Sequence, residues 1–271
     1  MGMVVRTNVM GINANRQLGM NNSQVSKSLE KLSSGYRINR AADDASGLAI
    51  SEKMKAQIKG LEQASSNCQD AISLVQTAEG ATTEIHNMLN RMVELTTKAA
   101  NGIYETTDTD AIEQELTQLG EEITRITTST KFNNRLLLNG SLNTQLQIGS
   151  EASDTINVTC ASLDATTLSV ASLSASSAAE ANSSLQAVKE AINTVSTARA
   201  NLGAIQNRLE YTINNLDTTA ENMSAANSRI RDTDMAKEMM NYTKMNVLTQ
   251  AAQAMLAQAN QQPQAVLQLL Q

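Results

Sequence analysis

The 271-residue chain is short of the residues that usually shape a compact enzyme. It has one proline, Pro263, one phenylalanine, Phe132, four tyrosines and no tryptophan. Proline is the commonest helix breaker, and none precedes residue 263. Globular cores of this size usually use aromatics, whereas helices lying side by side can be filled by Leu, Ile, Val, Met and Ala. Two cysteines, Cys68 and Cys160, are too few for a disulfide framework. Cys68 falls on a heptad row, which predicts a packed side chain, and Cys160 lies outside any helical pattern. Positive charge is scarce as well. The net charge of −6 lacks the basic footprint of a nucleic-acid binder, although Arg6, Arg16, Lys27, Lys31, Arg37 and Arg40 outweigh Glu30 at the start. No apolar run follows a basic start, so no Sec-type signal peptide is expected, which alone points to the cytoplasm.

Catalytic and metal-binding patterns are missing too. His86 is the sole histidine, set between Ile85 and Met88, and general acid–base or metal work needs convergent partners. There is no HExxH, P-loop or nucleophile elbow. Gly35, Gly47, Gly60 and Gly80 are too scattered to cradle phosphates. The expectation is a protein that is not an enzyme, with no cofactor and no metal.

What the chain has in quantity is helical rhythm. From Ser46 to Ala99 apolar residues recur at heptad spacing, through Met54, Ile58, Leu61, Ser65, Cys68, Ile72 and Val75 to Ile85, Met88, Met92, Leu95 and Ala99. Asp44 or Ser46 can cap this helix, and Asn101-Gly102 ends it. Thr107 to Asp110 offers caps for a second helix with Ile112, Leu116, Leu119, Ile123 and Ile126 on one face. Leu136-Leu137-Leu138 before Asn139-Gly140, then Gln145–Ile148 and Thr155–Thr159, read as one small β-hairpin. Residues 161–180, rich in Ser, Ala and Thr, read as a surface connector. Heptads resume at Ala181 and run through Leu185, Val188, Ile192, Val195, Leu202, Ile205, Leu209, Leu216, Met223 and Ile230.

Both ends are weaker. Residues 1–40 hold only Val9, Ile12, Val25, Leu29 and Leu32 on a helical pattern. Met245 to Gln271 carries no charge, places Met245, Leu248, Ala252, Met255 and Ala259 on one face, and contains eight glutamines. That is too polar for a bilayer, where roughly 20 mostly apolar residues are needed, and too weakly amphipathic to stand alone in water. The predicted architecture is all-α: two long antiparallel rods in a coiled-coil-like bundle, one small β-hairpin, and terminal helices that pair on assembly. A rod that long cannot bury its stripe on itself.

The sequence also carries long motifs. Leu32-Ser33-Ser34-Gly35-Tyr36-Arg37-Ile38-Asn39-Arg40-Ala41-Ala42-Asp43-Asp44-Ala45-Ser46-Gly47-Leu48-Ala49-Ile50-Ser51 closely resembles the N-terminal signature of bacterial flagellins. Ala198 to Leu209 (ARANLGAIQNRL), Asn214-Asn215-Leu216 and Ser228 to Ala236 (SRIRDTDMA) resemble their C-terminal signature. Lys131-Phe132-Asn133 with Leu136 to Gly140 is similar to the segment leading into the family's hairpin.

The resemblance implies a short flagellin without variable outer domains, polymerising into the flagellar filament for motility. It divides the chain into an N-terminal inner-tube segment (1–45), outer-tube helices with the hairpin (46–160), a connector in place of the variable domains (161–180), a C-terminal outer-tube helix (181–231) and a C-terminal inner-tube segment (232–271). Flagellins are exported unfolded through the flagellar type III apparatus, so the resemblance replaces the cytoplasmic expectation with secretion to an extracellular flagellum. The implied partners are further copies of the chain, an export chaperone, the filament cap and hook–filament junction proteins. A vertebrate Toll-like receptor senses the family through the outer-tube helices, and Arg91, Leu95 and Glu115 match its main contact residues. Leu29, Leu32, Leu248, Met255, Leu267 and Leu270 are the residues expected to form the assembly core. A flagellin-like hook–filament junction protein is the alternative, although such proteins usually carry more sequence between the rods. The two ends, residues 1–40 and 235–271, are expected to order only on assembly, since Ala- and Gln-rich helices bury too little to offset the entropy of fixing them.

Overall fold

The computed structural model describes residues 7–269, with side chains through residue 262. In chain order the elements are α1 (Val9–Ser34), α2 (Ala45–Ala99), α3 (Thr106–Ser129), β1 (Lys131–Phe132), β2 (Arg135–Leu136), β3 (Asn143–Gln147), β4 (Thr155–Thr159), α4 (Ala178–Arg231) and α5 (Met235–Leu269). They form two compact units. Unit 1 combines the chain up to Ala56 with the chain from Asn222 onward, and unit 2 spans Gln57–Glu221.

Local chemistry sets the helix ends. Asn8 caps α1 by accepting the N–H of Gly11 at 2.9 Å. Gly35 stops α1 in the left-handed region (φ 74°), donating its N–H to Lys31 O. For α2 the cap is Asp44, whose Oδ1 accepts the Gly47 N–H at 2.9 Å. At α3 the expectation of a cap within Thr107–Asp110 fails: the N-cap is Glu105, with no side-chain bond, and those four residues lie inside the helix. The Thr109 hydroxyl instead donates to Thr106 O at 3.0 Å.

Unit 2 is organised by the predicted heptads. Leu61, Cys68, Val75, Ile85, Leu89, Met92 and Leu95 of α2 are buried, as are Val188, Val195, Leu202, Leu209 and Leu216 of α4. Two cross-helix contacts fix their antiparallel sense: Ser65 Oγ donates to Asp217 Oδ1 at 3.0 Å, and Arg199 lies 3.9 Å from Glu79. Ile112, Leu116 and Ile123 bring α3 onto the same core.

Among the described residues there are two antiparallel hairpins rather than one. The first, β1–β2, turns through Asn133 and Asn134, both at positive φ. The second, β3–β4, pairs Asn143 with Thr159 through to Gln147 with Thr155. Asn139-Gly140 is not the tip of either. Asn139 bridges to Ser162, and Leu138 O accepts the Leu163 N–H at 2.9 Å.

The larger correction concerns residues 161–180. The segment is not a surface connector, because Leu163, Ala165, Leu168, Val170, Leu173 and Ala175 are all buried in the core of unit 2. Its apolar residues alternate with Ser, Thr and Asp that stay at or near the surface, so the low-complexity composition conceals an inward-facing row.

In unit 1, α1 and α5 pack against each other and run antiparallel. Asn8 Nδ2 donates to Ala259 O at 2.8 Å at one end, and Asn241 Nδ2 lies 3.5 Å from Ser28 Oγ towards the other. The seam follows heptad spacing: Gly11, Ala14, Leu18, Asn21, Val25 and Ser28 on α1, and Tyr242, Met245, Thr249, Ala252, Leu256 and Ala259 on α5 are buried or half-buried. Half of these twelve residues are Gly, Ala, Ser or Thr, which lets the two backbones approach, and Leu18, Val25, Met245 and Leu256 supply apolar contact between them.

Candidate self-assembly surface

The seam takes in only some of the bulky apolar side chains of α1 and α5 and leaves the rest in solvent. Val9, Met10, Ile12, Met20 and Leu29 of α1 and Met235, Met239, Met240, Val247, Leu248 and Met255 of α5 are exposed. Among the described residues, thirteen of the fifteen exposed large hydrophobics belong to unit 1; Ile103 and Tyr211 are the exceptions. Large apolar side chains left bare in such number on one pair of helices mark a surface suited to binding.

Of the residues expected in an assembly core, Leu29 is 53% exposed, Leu248 41% and Met255 68%. None of the three lies at the α1–α5 seam, whereas Leu32 is half-buried. The Leu267 side chain and Leu270 fall outside the described residues. The face chosen from the sequence, Met245, Leu248, Ala252, Met255 and Ala259, is therefore split. Met245, Ala252 and Ala259 meet α1, while Leu248 and Met255 point away.

A clasp within unit 1 joins the segments that follow α1 and α4. Tyr36 bridges to Asp232, the Arg37 N–H donates to Arg231 O at 2.7 Å, and the Thr233 N–H donates to Gly35 O at 2.9 Å. The Arg231 guanidinium lies 4.7 Å from the Tyr36 ring centroid and pairs with Glu52. Ile38, 2% exposed, anchors the turn beneath, and Asp43 accepts the N–H groups of Asn39 and Arg40. Those backbone bonds hold the Asp43 carboxyl below its ordinary value. The long N-terminal motif spends its polar residues on this turn, a role that its order alone did not disclose.

On unit 2, α2 and α3 bring Arg91 and Glu115 together. Arg91 Nε donates to Glu115 Oε1 at 3.0 Å, and its NH1 group meets Glu94 Oε2 at 2.9 Å. Both Arg91 and Glu115 remain substantially exposed. Leu95, expected beside them as a contact residue, is only 4% exposed and belongs to the α2–α3 core. Arg91 and Glu115 thus carry the accessible chemistry of this patch. His86 is half-buried in α2, with no hydrogen-bond partner at Nδ1. Among the described residues no group of three or more His, Cys, Asp or Glu could hold a metal ion, and no helix is long and apolar enough to cross a membrane.

Paired long helices that leave many large apolar residues in solvent define a helical protein with a surface open to other chains. Comparison with known proteins makes the class specific. The family model for the bacterial flagellin N-terminal helical region matches residues 5–143, and that for the C-terminal helical region matches residues 185–270. A flagellin of Halalkalibacterium halodurans is 52% identical over 271 residues, covering 99% of this chain and all of the relative. A flagellin of Bacillus subtilis is 49% identical over 303 residues, with the same coverage. The crystal structure of Bacillus cereus flagellin, 34% identical, superposes with a TM-score of 0.50 over 60% of this chain and 94% of that one. The chain belongs to the bacterial flagellin family.

Proposed function

We propose that this chain is the repeating subunit of a flagellar filament, in which the α1–α5 pair forms the inner tube and the helices of unit 2 form the outer one. As a flagellin it is a structural subunit of a filament lying outside the cell, and its relatives are structural proteins rather than enzymes. The observation that carries the finer reading is the row of large apolar side chains on α1 and α5, Val9, Met10, Ile12, Met20 and Leu29 with Met239, Met240, Val247, Leu248 and Met255, that the seam between the two helices leaves exposed. Neighbouring subunits supply what those side chains lack. Head-to-tail contacts that do not close into a ring give an open helical filament.

The same arrangement supports export as an unfolded chain. A pair of helices this weakly stabilised is readily unfolded, passes through a type III apparatus as an extended chain, and orders as it joins its neighbours. An export chaperone, the filament cap and hook–filament junction proteins are the partners that this route requires. The uncharged Gln and Asn of α5 suit a channel lining, since they hold a passing chain weakly whatever its charge. Replacing several of the glutamines at 250, 253 and 258 with lysine should slow filament growth; growth at the unmodified rate would remove them from the channel.

Seeded growth tests the whole reading. Purified subunit added to short filament fragments should yield long tubes under the electron microscope, and closed rings or unextended seeds would overturn it. On unit 2, the exposed Arg91–Glu115 pair is the proposed contact for the flagellin-sensing Toll-like receptor. Arg91→Ala should lower receptor signalling in reporter cells without shifting the melting temperature, and unchanged signalling would refute the assignment.

A further inference from the structure

The thirteen methionines are not distributed evenly with respect to solvent. Six of the described ones are exposed: Met10, Met20, Met235, Met239, Met240 and Met255, between 47% and 68%. All six lie on α1 or α5. In unit 2, by contrast, Met92 is fully buried and Met88 half-buried. The two thiols, the other oxidisable sulfurs, are buried at Cys68 and Cys160, and burial pushes both above the ordinary thiol range, which suppresses the reactive thiolate. The soft, peroxide-sensitive sulfur that solvent can reach is therefore concentrated on the apolar surface of the terminal helices.

We infer that α1 and α5 form an oxidation-sensitive assembly surface: peroxide converts their exposed methionines to sulfoxides in the free subunit and so blocks its addition to the filament. This rests on the proposed role of the α1–α5 pair in assembly. In each reaction hydrogen peroxide gives one oxygen atom to a thioether sulfur. The sulfur lone pair attacks, the O–O bond breaks, the sulfur loses two electrons, and the departing oxygen leaves as water. The product exchanges an apolar, flexible side chain for a polar one bearing a strong acceptor. Burying that oxygen without a donor between subunits costs free energy, because a dehydrated polar group needs a partner. The helix seam itself holds one methionine among its described residues, Met245. The damage therefore falls on contacts between chains rather than on the fold of unit 2. Subunits already in place are shielded by their neighbours.

The test compares free subunits and filaments exposed to the same dilute hydrogen peroxide, with sulfoxides mapped by peptide mass spectrometry. In free subunits the six exposed methionines should oxidise at least about tenfold faster than Met92, and in filaments their rates should fall by a similar factor. Oxidised subunits should fail to elongate seeds that untreated subunits elongate. Reduction with methionine sulfoxide reductases specific for the two epimers should restore growth. A variant with all six methionines changed to leucine should keep elongating after peroxide; reductase rescue of the unaltered chain supplies the answer if that variant does not assemble. Elongation by fully sulfoxidised subunits at the untreated rate, or equal oxidation of the six sites in filament and free subunit, would overturn the inference. Failure of untreated subunits to elongate would overturn the filament reading itself, and this inference with it.

Discussion

Replacing Leu163 with alanine should destabilise unit 2 by about 2–5 kcal/mol, the range for removing a fully buried leucine side chain. Leu163 has no exposed surface, and its N–H is tied to Leu138 O at 2.9 Å. It sits in one core with Leu137, Leu138, Leu168 and Val170, which are themselves nearly inaccessible. The backbone bond persists in the alanine variant, so the loss comes from transfer and cavity terms alone. For a unit of this size, about 3 kcal/mol corresponds to a fall in melting temperature of roughly 6–12 °C. Urea unfolding followed by circular dichroism, with parallel calorimetry, reads both quantities on the transition of unit 2. Ser172→Ala, an exposed change nine residues along, is the control and should stay within about 0.5 kcal/mol. If Leu163→Ala also stays within that margin, the segment is a solvated connector after all, and the packing account of residues 161–180 fails.

Two glycines should respond in opposite directions. Gly140 has φ 76°, and a Cβ there would lie 3.0 Å from Ser162 Cβ, so Gly140→Ala should cost about 1–3 kcal/mol in chemical denaturation. Gly80, inside α2 with open space around it, should gain about 0.5–1 kcal/mol on the same change, and a loss there would contradict the helical accounting. Cys68 and Cys160 should be inert to a thiol-specific disulfide reagent in the folded protein near neutral pH and react fully in denaturant; fast reaction of either would show its burial to be transient. Asp43 provides the pH prediction. Its folded value lies below the ordinary 3.8, so its contribution is present above that value and is lost as the pH falls through the depressed one. Asp43→Asn should lack this acid-side loss when stability of the α1–α2 turn is followed from about pH 5 down to about pH 2, and identical profiles would dismiss the role.

The sequence was most legible where burial is one-sided and the side chains are large. Leu202, Leu209 and Leu216 recur at seven-residue spacing and are buried as that spacing requires. Asn101-Gly102 follows the end of α2 at Ala99 because neither residue favours continuing a helix. Legibility fell where the spacing fits no regular element. In residues 161–180, Leu163, Ala165, Leu168, Val170, Leu173 and Ala175 fill the core through alternating two- and three-residue steps, which match neither a helix nor a long strand. At the terminal helices the signal was split. The three- and four-residue spacing put Met245, Leu248, Ala252, Met255 and Ala259 on one face, of which Met245, Ala252 and Ala259 meet α1 while Leu248 and Met255 point away, and Leu256 and Thr249 join the seam instead. At the Arg91 patch, the family resemblance named three residues, but the packing of α2 on α3 took Leu95 inward and left Arg91 and Glu115 in solvent.

Amide hydrogen exchange on the free subunit and on filaments tests the central claim most directly, because each amide of α1 and α5 reports whether its helix is held. The account predicts rapid exchange across Val9–Ser34 and Met235–Leu269 in the free subunit and strong protection of both in the filament. The α2, α3 and α4 core of unit 2 should be protected in each state. Equal protection of α1 and α5 before and after assembly would contradict it.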